Sequence, residues 1–371
     1  MHEPYIDPQW SNEQLPSVLF FVSTARGVLW IIFAVQIWML FLGYILIGLA
    51  VGADVPTSWA LVGEFSPNRA RSKLLGLTQV FWSIGPIVSL VLGFVLAPIG
   101  VLGVRIIFVQ LFVVALVTWF LRRGMVESDR WKTAAESSEA TAPVAERGNP
   151  LSARRIRDLF TGPSLRGLLF TAVVYTCWNT AAGTYGFFGP YLLKTVGAQS
   201  QAASVALSGL GFVLTIVVCV FIFMPYGDGP HRRLIYGVGA VAQVIAFLSF
   251  VILPLTLPVA IVNFFLFGVG GALAGEPFYR VWSQELFPTM LRGTAQGITF
   301  AIARTEIGIW SLFVPILAAS GGFKTMSAIL MVLLLVSGVI GWLFMPNTAG
   351  KSLEQIQEER ARGMAGTSES A

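Results

Sequence analysis

Apolar residues fall into ten runs along the chain, each long enough to cross the hydrocarbon core of a bilayer as one helix. Short polar or charged connections separate most neighbouring runs. The pattern therefore predicts an all-α, polytopic membrane protein. The predicted spans cover residues 17–36, 38–62, 74–97, 101–121, 166–193, 202–225, 234–253, 257–282, 293–318 and 325–345.

Composition excludes a water-soluble globular protein. Of the 371 residues, 55% are hydrophobic and only 12% are charged, and the mean hydropathy is +0.75; soluble domains usually carry about 25% charged residues. The net charge of +5 does not indicate a nucleic-acid partner, because basic residues in membrane proteins mark the loops retained in the cytoplasm. Cys177 and Cys219 lie in apolar stretches without metal-ligand spacing, so we expect neither a disulfide framework nor a metal site.

The polar segment between the fourth and fifth spans divides the chain into unequal parts. We predict an incomplete N-terminal bundle of four helices over residues 1–121, a cytoplasmic linker over 122–165, a C-terminal six-helix bundle over 166–345 and a cytoplasmic tail over 346–371. Of the 24 Lys and Arg residues, eighteen fall in the linker, the tail and the turns on one side, and two on the other. This bias predicts a multi-pass protein of the cell membrane with both termini in the cytoplasm.

A weak internal repeat appears when the chain is compared with itself at an offset of 221 residues. In both copies a predicted helix ends in the pattern Glu-x-x-Pro-x-x-x-Arg at a turn on the cytoplasmic side. Homologous halves of a transporter would produce such a repeat. The matching residues are Pro56 with Pro277, Glu64 with Glu285, Pro67 with Pro288, and Arg71 with Arg292.

The turns resemble those of the sugar-porter branch of the major facilitator superfamily, over nearly the whole chain. Five ordered segments carry this resemblance. They are the two repeated turns at 64–71 and 285–293, the Glu-Ser-Asp-Arg-Trp motif at 127–131, the Asp-Gly-Pro-His-Arg-Arg turn at 228–233, and the Pro-Asn-Thr-Ala-Gly-Lys-Ser-Leu-Glu segment at 346–354.

The resemblance implies twelve helices in two six-helix bundles, of which this chain would contain about ten. On this resemblance the first predicted span corresponds to the third helix of the family, so we expect the first two family helices to be absent from this sequence. We expect either a late start of the sequence or a real loss. The acidic residue that proton-coupled members carry in their first helix would then be absent.

Ionisable residues inside predicted spans need a partner or a water-filled cavity, because each costs on the order of 2.5–3.5 kcal/mol on insertion scales. Glu276 and Arg280 have the spacing of a same-face ion pair, which is either purely structural or a substrate contact. Arg304 and Glu306 cannot share one helix face, so one of them is a candidate partner for that pair. Possible proton-coupling residues are Asp54, Glu276 and Glu306.

Amide and aromatic side chains are the expected ligands of a polyol, since they bind hydroxyl groups without a formal charge. Gln79 stands where the resemblance places a sugar-contacting glutamine in the fifth family helix. The seventh family helix contributes Trp178, Asn179 and Tyr185, with an alignment uncertain by two residues. The candidate substrate-binding residues are Gln79, Trp178, Asn179, Tyr185, Glu276, Tyr279 and Arg280.

We therefore predict a secondary active or facilitative transporter of a sugar or polyol, with inositol favoured and a proton as a candidate coupling ion. No set of catalytic residues is visible, so neither an enzyme nor a cofactor is expected; the partners are the small substrate and the lipid bilayer. The alternatives are a proton symporter of an organic acid, with Arg280 or Arg304 binding a carboxylate, and a truncated protein that does not transport. The candidate gating residues are Glu64, Arg71, Asp228, Arg232, Arg233, Glu285 and Arg292.

Overall fold

The computed structural model describes residues 23–67, 70–122, 133, 157–195, 200–319 and 322–359, and these form helices joined by short turns. In chain order the helices are α1 (23–32), α2 (Ile37–Phe65), α3 (Arg71–Leu96), α4 (Val101–Arg122), α5 (Gly162–Thr195), α6 (Gln201–Val218), α7 (Arg232–Ile252), α8 (Leu257–Ala274), α9 (Glu276–Glu285), α10 (Thr289–Ala319), α11 (Phe323–Leu343) and α12 (353–359).

Eight helical segments of the described residues are long and apolar enough to cross a membrane. They match eight of the ten predicted spans. The 34-residue helix α5 matches a ninth, although its polar residues keep it outside these eight. The remaining predicted span, 17–36, contains α1, and its first six residues lie outside the described part of the chain.

Local sequence explains how several helices begin and bend. Ser200 caps α6 by accepting a hydrogen bond from the backbone of Ala203 (3.1 Å). Proline lies inside four helices, where its ring removes a backbone donor and favours a kink. These prolines are Pro56 in α2, Pro86 in α3, Pro190 in α5 and Pro315 in α10.

One predicted span is interrupted in the middle. Residues 257–285 are long and apolar enough to form one membrane-crossing segment. The helix nevertheless ends at Ala274 and restarts at Glu276, because the backbone of Gly275 is not helical (φ −115°, ψ −141°). Pro277 occupies the first turn of α9. Backbone N–H groups in the first turn have no partner within the helix, so a proline there costs no hydrogen bond. Glu276 precedes it, so a carboxylate stands at the positive end of the α9 dipole.

The short helix α9 is buried throughout its length and contacts α2, α3, α5, α8 and α10. The helix α7 lies between α8 and α11, α5 contacts α10 and α11, and α6 contacts α8 and α5. The first half of the chain joins this assembly where α2 packs on α10 and α3 packs on α6 and α9. The predicted polar linker lies mostly outside the described residues, so the division into bundles stays a prediction.

Many apolar side chains of α2, α3, α4 and α10 are exposed on the outer surface, including Phe41, Phe81, Phe120 and Leu312. A soluble protein rarely exposes so much contiguous apolar surface, whereas lipid-facing helices must. The buried core lies inside, where Trp282 packs against Tyr236 and Phe278.

Candidate functional site

A cavity of about 230 Å³ lies at the centre of the helix assembly. Residues from α3, α5, α6, α8, α9 and α10 line it, so both halves of the chain contribute to its wall. Aromatic rings and glycine residues make up more than half of the lining, and a smaller number of polar groups lie among them, a composition suited to a small ligand with hydroxyl groups. The polar lining residues are Gln79, Ser83, Asn179, Tyr185, Ser208, Thr215, Glu276 and Arg304.

The structure brings most of the predicted substrate-binding residues to this cavity. Gln79, Trp178, Asn179, Tyr185 and Glu276 all line it. Tyr279 and Arg280 are not among the lining residues and lie behind Glu276 in the packed core. Five of the seven predicted substrate-binding residues therefore line the cavity, and the other two, Tyr279 and Arg280, lie behind it.

The side-chain amides of Asn179 and Gln79 both line the cavity, but they differ in their hydrogen bonds. The Asn179 side chain donates to the backbone oxygen of Ala303 on α10 (3.3 Å), which fixes its orientation. The Gln79 side-chain oxygen is buried and has no hydrogen-bond partner within the described part of the chain. An acceptor of this kind is suited to bind a ligand hydroxyl. Tyr185 donates its hydroxyl hydrogen to Asn263, so that hydroxyl is already engaged.

Glu276 and Arg280 form the ion pair that their spacing predicts. The distance from Glu276 Oε2 to Arg280 Nη2 is 3.0 Å, and both side chains are almost fully buried. Tyr175 donates from its hydroxyl to the other carboxylate oxygen of Glu276 (3.1 Å). The carboxylate that lines the cavity is thus held by two groups behind it.

Arg280 also connects the two halves of the chain. Its guanidinium donates to Thr78 Oγ1 on α3 (2.6 Å) and lies 4.3 Å from the centre of the Trp59 ring on α2. The cation–π contact and the hydrogen bond add to the stabilisation that the ion pair gives this buried charge. A shift of the Glu276 side chain would therefore alter the contacts that Arg280 makes with Trp59 on α2 and Thr78 on α3.

Tyr175, which bonds to the Glu276 carboxylate, is itself part of an aromatic stack. The rings of Tyr175 and Tyr279 stack at 3.9 Å with an interplanar angle of 14°, and the Tyr279 hydroxyl bonds to Thr299 on α10 (2.5 Å). Tyr175 did not emerge from the sequence, because nothing local distinguishes a tyrosine in an apolar run that contacts a residue 101 positions away.

Arg304 and Glu306 face in different directions, as their spacing requires. Glu306 accepts a hydrogen bond from Thr180 on α5 (2.7 Å). Arg304 lines the cavity, with its guanidinium 4.6 Å from the ring centre of Phe300 and 5.9 Å from that of Trp82. Neither residue forms an ion pair with Glu276 or Arg280 in the described structure, because those two satisfy each other.

Asp54 lies outside the cavity lining. It is half-buried in α2, two residues before Pro56, and accepts a hydrogen bond from Ser58 (3.4 Å). Of the three predicted proton-coupling carboxylates, Glu276 is the one that lines the cavity.

At one end of the assembly the two repeated turns pair with each other. Arg71 Nη1 lies 2.9 Å from Glu285 Oε1, and Arg292 Nη1 lies 3.6 Å from Glu64 Oε1. Each pair joins the first half of the chain to the second. Since Glu64 matches Glu285 and Arg71 matches Arg292 at the 221-residue offset, the two pairs are equivalent contacts of the repeat. We call these four residues the crossed pairs.

Other residues at the same end extend this network. Arg232 and Thr348 both bond to Glu285 Oε2, at 2.9 Å and 2.6 Å. Asp228 accepts from the backbone N–H of Ser72 (2.9 Å) and from its hydroxyl (2.7 Å). Arg233 is exposed over the Trp342 ring, outside the ion pairs. The predicted motif at 127–131 lies outside the described residues.

These features define a class of protein. Membrane-crossing helices from both halves of the chain surround a cavity with aromatic and polar walls, and buried ion pairs join the halves at one end; this is the arrangement of a secondary transporter. The chain is therefore a multi-pass membrane transporter.

Similarity to known proteins identifies the family. Residues 15–359 match the family model "Sugar (and other) transporter", so the chain belongs to that transporter family. It is 40% identical over 336 residues to the minor myo-inositol transporter IolF of Bacillus subtilis, covering 90% of this chain and 76% of the relative. It is also 24% identical to the major myo-inositol transporter IolT of the same organism, with 92% and 78% covered.

Solved structures agree on the fold. A structure of the proton:xylose symporter XylE, of the major facilitator superfamily, matches with a TM-score of 0.75 at 19% identity, covering 94% of this chain and 82% of that chain. The predicted fold class and sugar-porter resemblance are confirmed. The prediction that the chain is not an enzyme agrees with its membership of a transporter family.

Proposed function

We propose that the chain carries a polyol of the inositol type across the cell membrane by alternating access, with both termini in the cytoplasm. The observation that carries this proposal is the central cavity, whose lining combines amide, hydroxyl and indole groups from both halves of the chain. The 40% identity to a myo-inositol transporter supports the substrate class.

Each of the seven predicted substrate-binding residues has a role in this proposal. Gln79 and Asn179 bind substrate hydroxyls through their amides, and Trp178 and Tyr185 present aromatic faces to the carbon ring. Glu276 accepts a hydroxyl hydrogen bond. Tyr279 and Arg280 act from behind by holding Tyr175 and Glu276 in place.

The test is uptake into cells that express the full chain. Labelled myo-inositol, glucose, xylose and a small carboxylate are supplied separately, with non-expressing cells as the background. We expect accumulation of inositol above the two sugars. Binding of inositol without accumulation would favour a non-transporting protein, and uptake restricted to the carboxylate would favour the organic-acid symporter.

We further propose that the crossed pairs form the cytoplasmic gate. Four buried charged groups that join the two halves hold that end closed while the cavity opens to the other side. Asp228 adds a contact between the halves through Ser72 on α3, and Arg232 holds Glu285 from α7. This orientation is testable by labelling of single cysteines placed at each terminus in intact cells: accessibility only after permeabilisation supports it, and labelling without permeabilisation contradicts it.

A proton is the proposed coupling ion. The candidate carriers are Asp54, Glu276 and Glu306, of which Glu276 is directly connected to the substrate cavity. The groups facing Glu276 are Arg280 on its own helix, Tyr175 on α5 and, across the same cavity, Arg304 on α10. Replacing the coupling carboxylate by its amide should abolish accumulation driven by a proton gradient while exchange of labelled for unlabelled substrate continues. If all three amide variants still accumulate substrate, the chain is not proton-coupled through these residues.

A further inference from the structure

Arg304 is a cation in the middle of a membrane-crossing helix. It lies 15 residues beyond Thr289 in the 31-residue helix α10, which at the helical rise corresponds to about 22 Å from that end. A charged side chain at this depth is costly to maintain, and charged residues in such positions commonly bind a substrate or an ion.

The charge of Arg304 is not neutralised by an ion pair. Its described contacts are the faces of Phe300 and Trp82, and no carboxylate oxygen of the described residues lies within 4.0 Å of its guanidinium. Rings stabilise a cation only partly, and they leave the N–H groups at the edge of the guanidinium available as donors.

The other charges near the cavity are already engaged. Glu276 is paired with Arg280 at 3.0 Å, so these two charges cancel. Glu306 is two residues from Arg304 and bonds to Thr180 on α5 instead. Within the described structure, the cavity wall is therefore left with one positive charge, that of Arg304.

Neutral acceptors complete the site on the neighbouring helix. Trp82, which Arg304 contacts, lies on the same face of α3 as Gln79 and Ser83, and all three line the cavity. The Gln79 oxygen and the Ser83 hydroxyl are buried and have no hydrogen-bond partner among the described residues. A ligand that fills this space meets hydroxyl-binding groups and a guanidinium side by side.

We propose that the cavity also binds and transports polyols that carry one carboxylate, with the carboxylate on Arg304 and the hydroxyl groups on Gln79 and Ser83. Sugar acids of the uronate and aldonate type have this chemistry. Guanidinium–carboxylate hydrogen bonds are charge-assisted and often bidentate, which gives both affinity and orientation. The proposal rests on the proposed polyol transport and extends its substrate class to anions.

The experiment uses the purified full chain in proteoliposomes and measures exchange of labelled myo-inositol and labelled D-glucuronate. Both are six-membered rings rich in hydroxyl groups; glucuronate differs from inositol by its carboxylate and by an oxygen atom in the ring. We expect the unmodified chain to exchange both. Because Arg304 lines the cavity, the ratio of the two exchange rates is the quantity compared, and Arg304→Gln should lower glucuronate exchange relative to inositol exchange by at least about tenfold, the value of one charged hydrogen bond.

Two further variants control for charge and folding. Arg304→Lys keeps the positive charge but loses the planar guanidinium that can donate two parallel hydrogen bonds to a carboxylate. This variant should therefore retain part of the glucuronate exchange. Lys324→Gln removes an exposed positive charge on α11, and it should leave both substrates unaffected. Inositol exchange by Arg304→Gln, together with inositol-dependent thermal stabilisation in detergent, reports that this variant is folded.

Three results would overturn the proposal. The first is inositol exchange without any glucuronate exchange or competition, which leaves the polyol function intact. The second is glucuronate exchange that Arg304→Gln does not alter. The third is a chain that exchanges neither compound, which contradicts the proposed polyol function as well. Exchange of glucuronate alone, lost in Arg304→Gln, would support the anion site and reject neutral polyols.

Discussion

At the scale of residues, buried charge is the feature that most constrains this protein. The guanidinium of Arg280 is fully buried and depends on three neighbours, namely Glu276, Thr78 and the Trp59 ring. Removing one partner of such a pair leaves an uncompensated charge, whereas removing both does not. The cost of a substitution therefore depends on which charge remains.

This dependence leads to a prediction for Glu276→Gln. We expect the free energy of unfolding to fall by about 3–5 kcal/mol, because Arg280 keeps its charge without the carboxylate. The double variant Glu276→Gln with Arg280→Met should lose less than this single variant. Thermal unfolding in detergent micelles provides the measurement.

An exposed ion pair supplies the matched control. Lys351 and Glu359 lie 2.7 Å apart with much of both side chains accessible, so Lys351→Gln should cost at most about 1 kcal/mol. If Glu276→Gln were as stable as Lys351→Gln, the interpretation of Glu276 as a buried partner would be wrong.

At the scale of elements, small residues decide how closely the helices approach. A Cβ atom added to Gly239 of α7 would lie 2.6 Å from Leu273 Cβ and 2.8 Å from the backbone nitrogen of Ala274, both in α8. Gly268 of α8 similarly faces the backbone of Gly211 in α6. Such contacts bring backbones together where lipid offers no hydrophobic driving force between helices.

We therefore predict that Gly239→Ala destabilises the protein by roughly 1–3 kcal/mol, the usual cost of overpacking. The atoms that the new methyl group would meet belong to the backbone and to a Cβ, so they cannot rotate away. Gly209→Ala in α6 is the control, since a Cβ there meets nothing within 4 Å, and it should be neutral or stabilising by about 0.5–1 kcal/mol. Equal melting temperatures for the two variants would argue against close α7–α8 packing.

At the scale of the whole molecule, the two halves of the chain meet in two separate places. One is the central cavity, where Arg280 reaches from α9 to α2 and α3. The other is the end of the assembly where the crossed pairs lie, with Arg232 and Thr348 also bonded to Glu285. If one half rocked against the other, the contacts of the crossed pairs would have to break, whereas the residues around the cavity would stay together.

Glu285→Gln should consequently slow transport without weakening substrate binding. It leaves Arg71 and Arg232 without their shared carboxylate and lies outside the cavity lining. We expect the maximal rate of inositol uptake to fall about tenfold with KM changed less than about twofold, the pattern of a lost conformational interaction. Glu359→Gln, which alters an exposed carboxylate, is the control. A large rise in KM at unchanged maximal rate would show that Glu285 does not act as a gate residue.

The sequence by itself determined the class of protein, because hydropathy and charge are local properties. Runs of about 20 apolar residues define membrane spans whatever their neighbours are, and ordered turn motifs identified the transporter family. The same reasoning predicted the Glu276–Arg280 pair, since residues four apart must share a helix face.

Only the tertiary structure decided which distant residues meet. The crossed pairs join Arg71 to a residue 214 positions away, although each repeated turn contains both a glutamate and an arginine that could have paired within it. Tyr175, Thr78 and Trp59 became part of the site through contacts that no local pattern encodes. The same is true of the cation of Arg304: its depth in the membrane follows from its place in α10, but its position on the cavity wall follows from how α10 packs against α3 and α5.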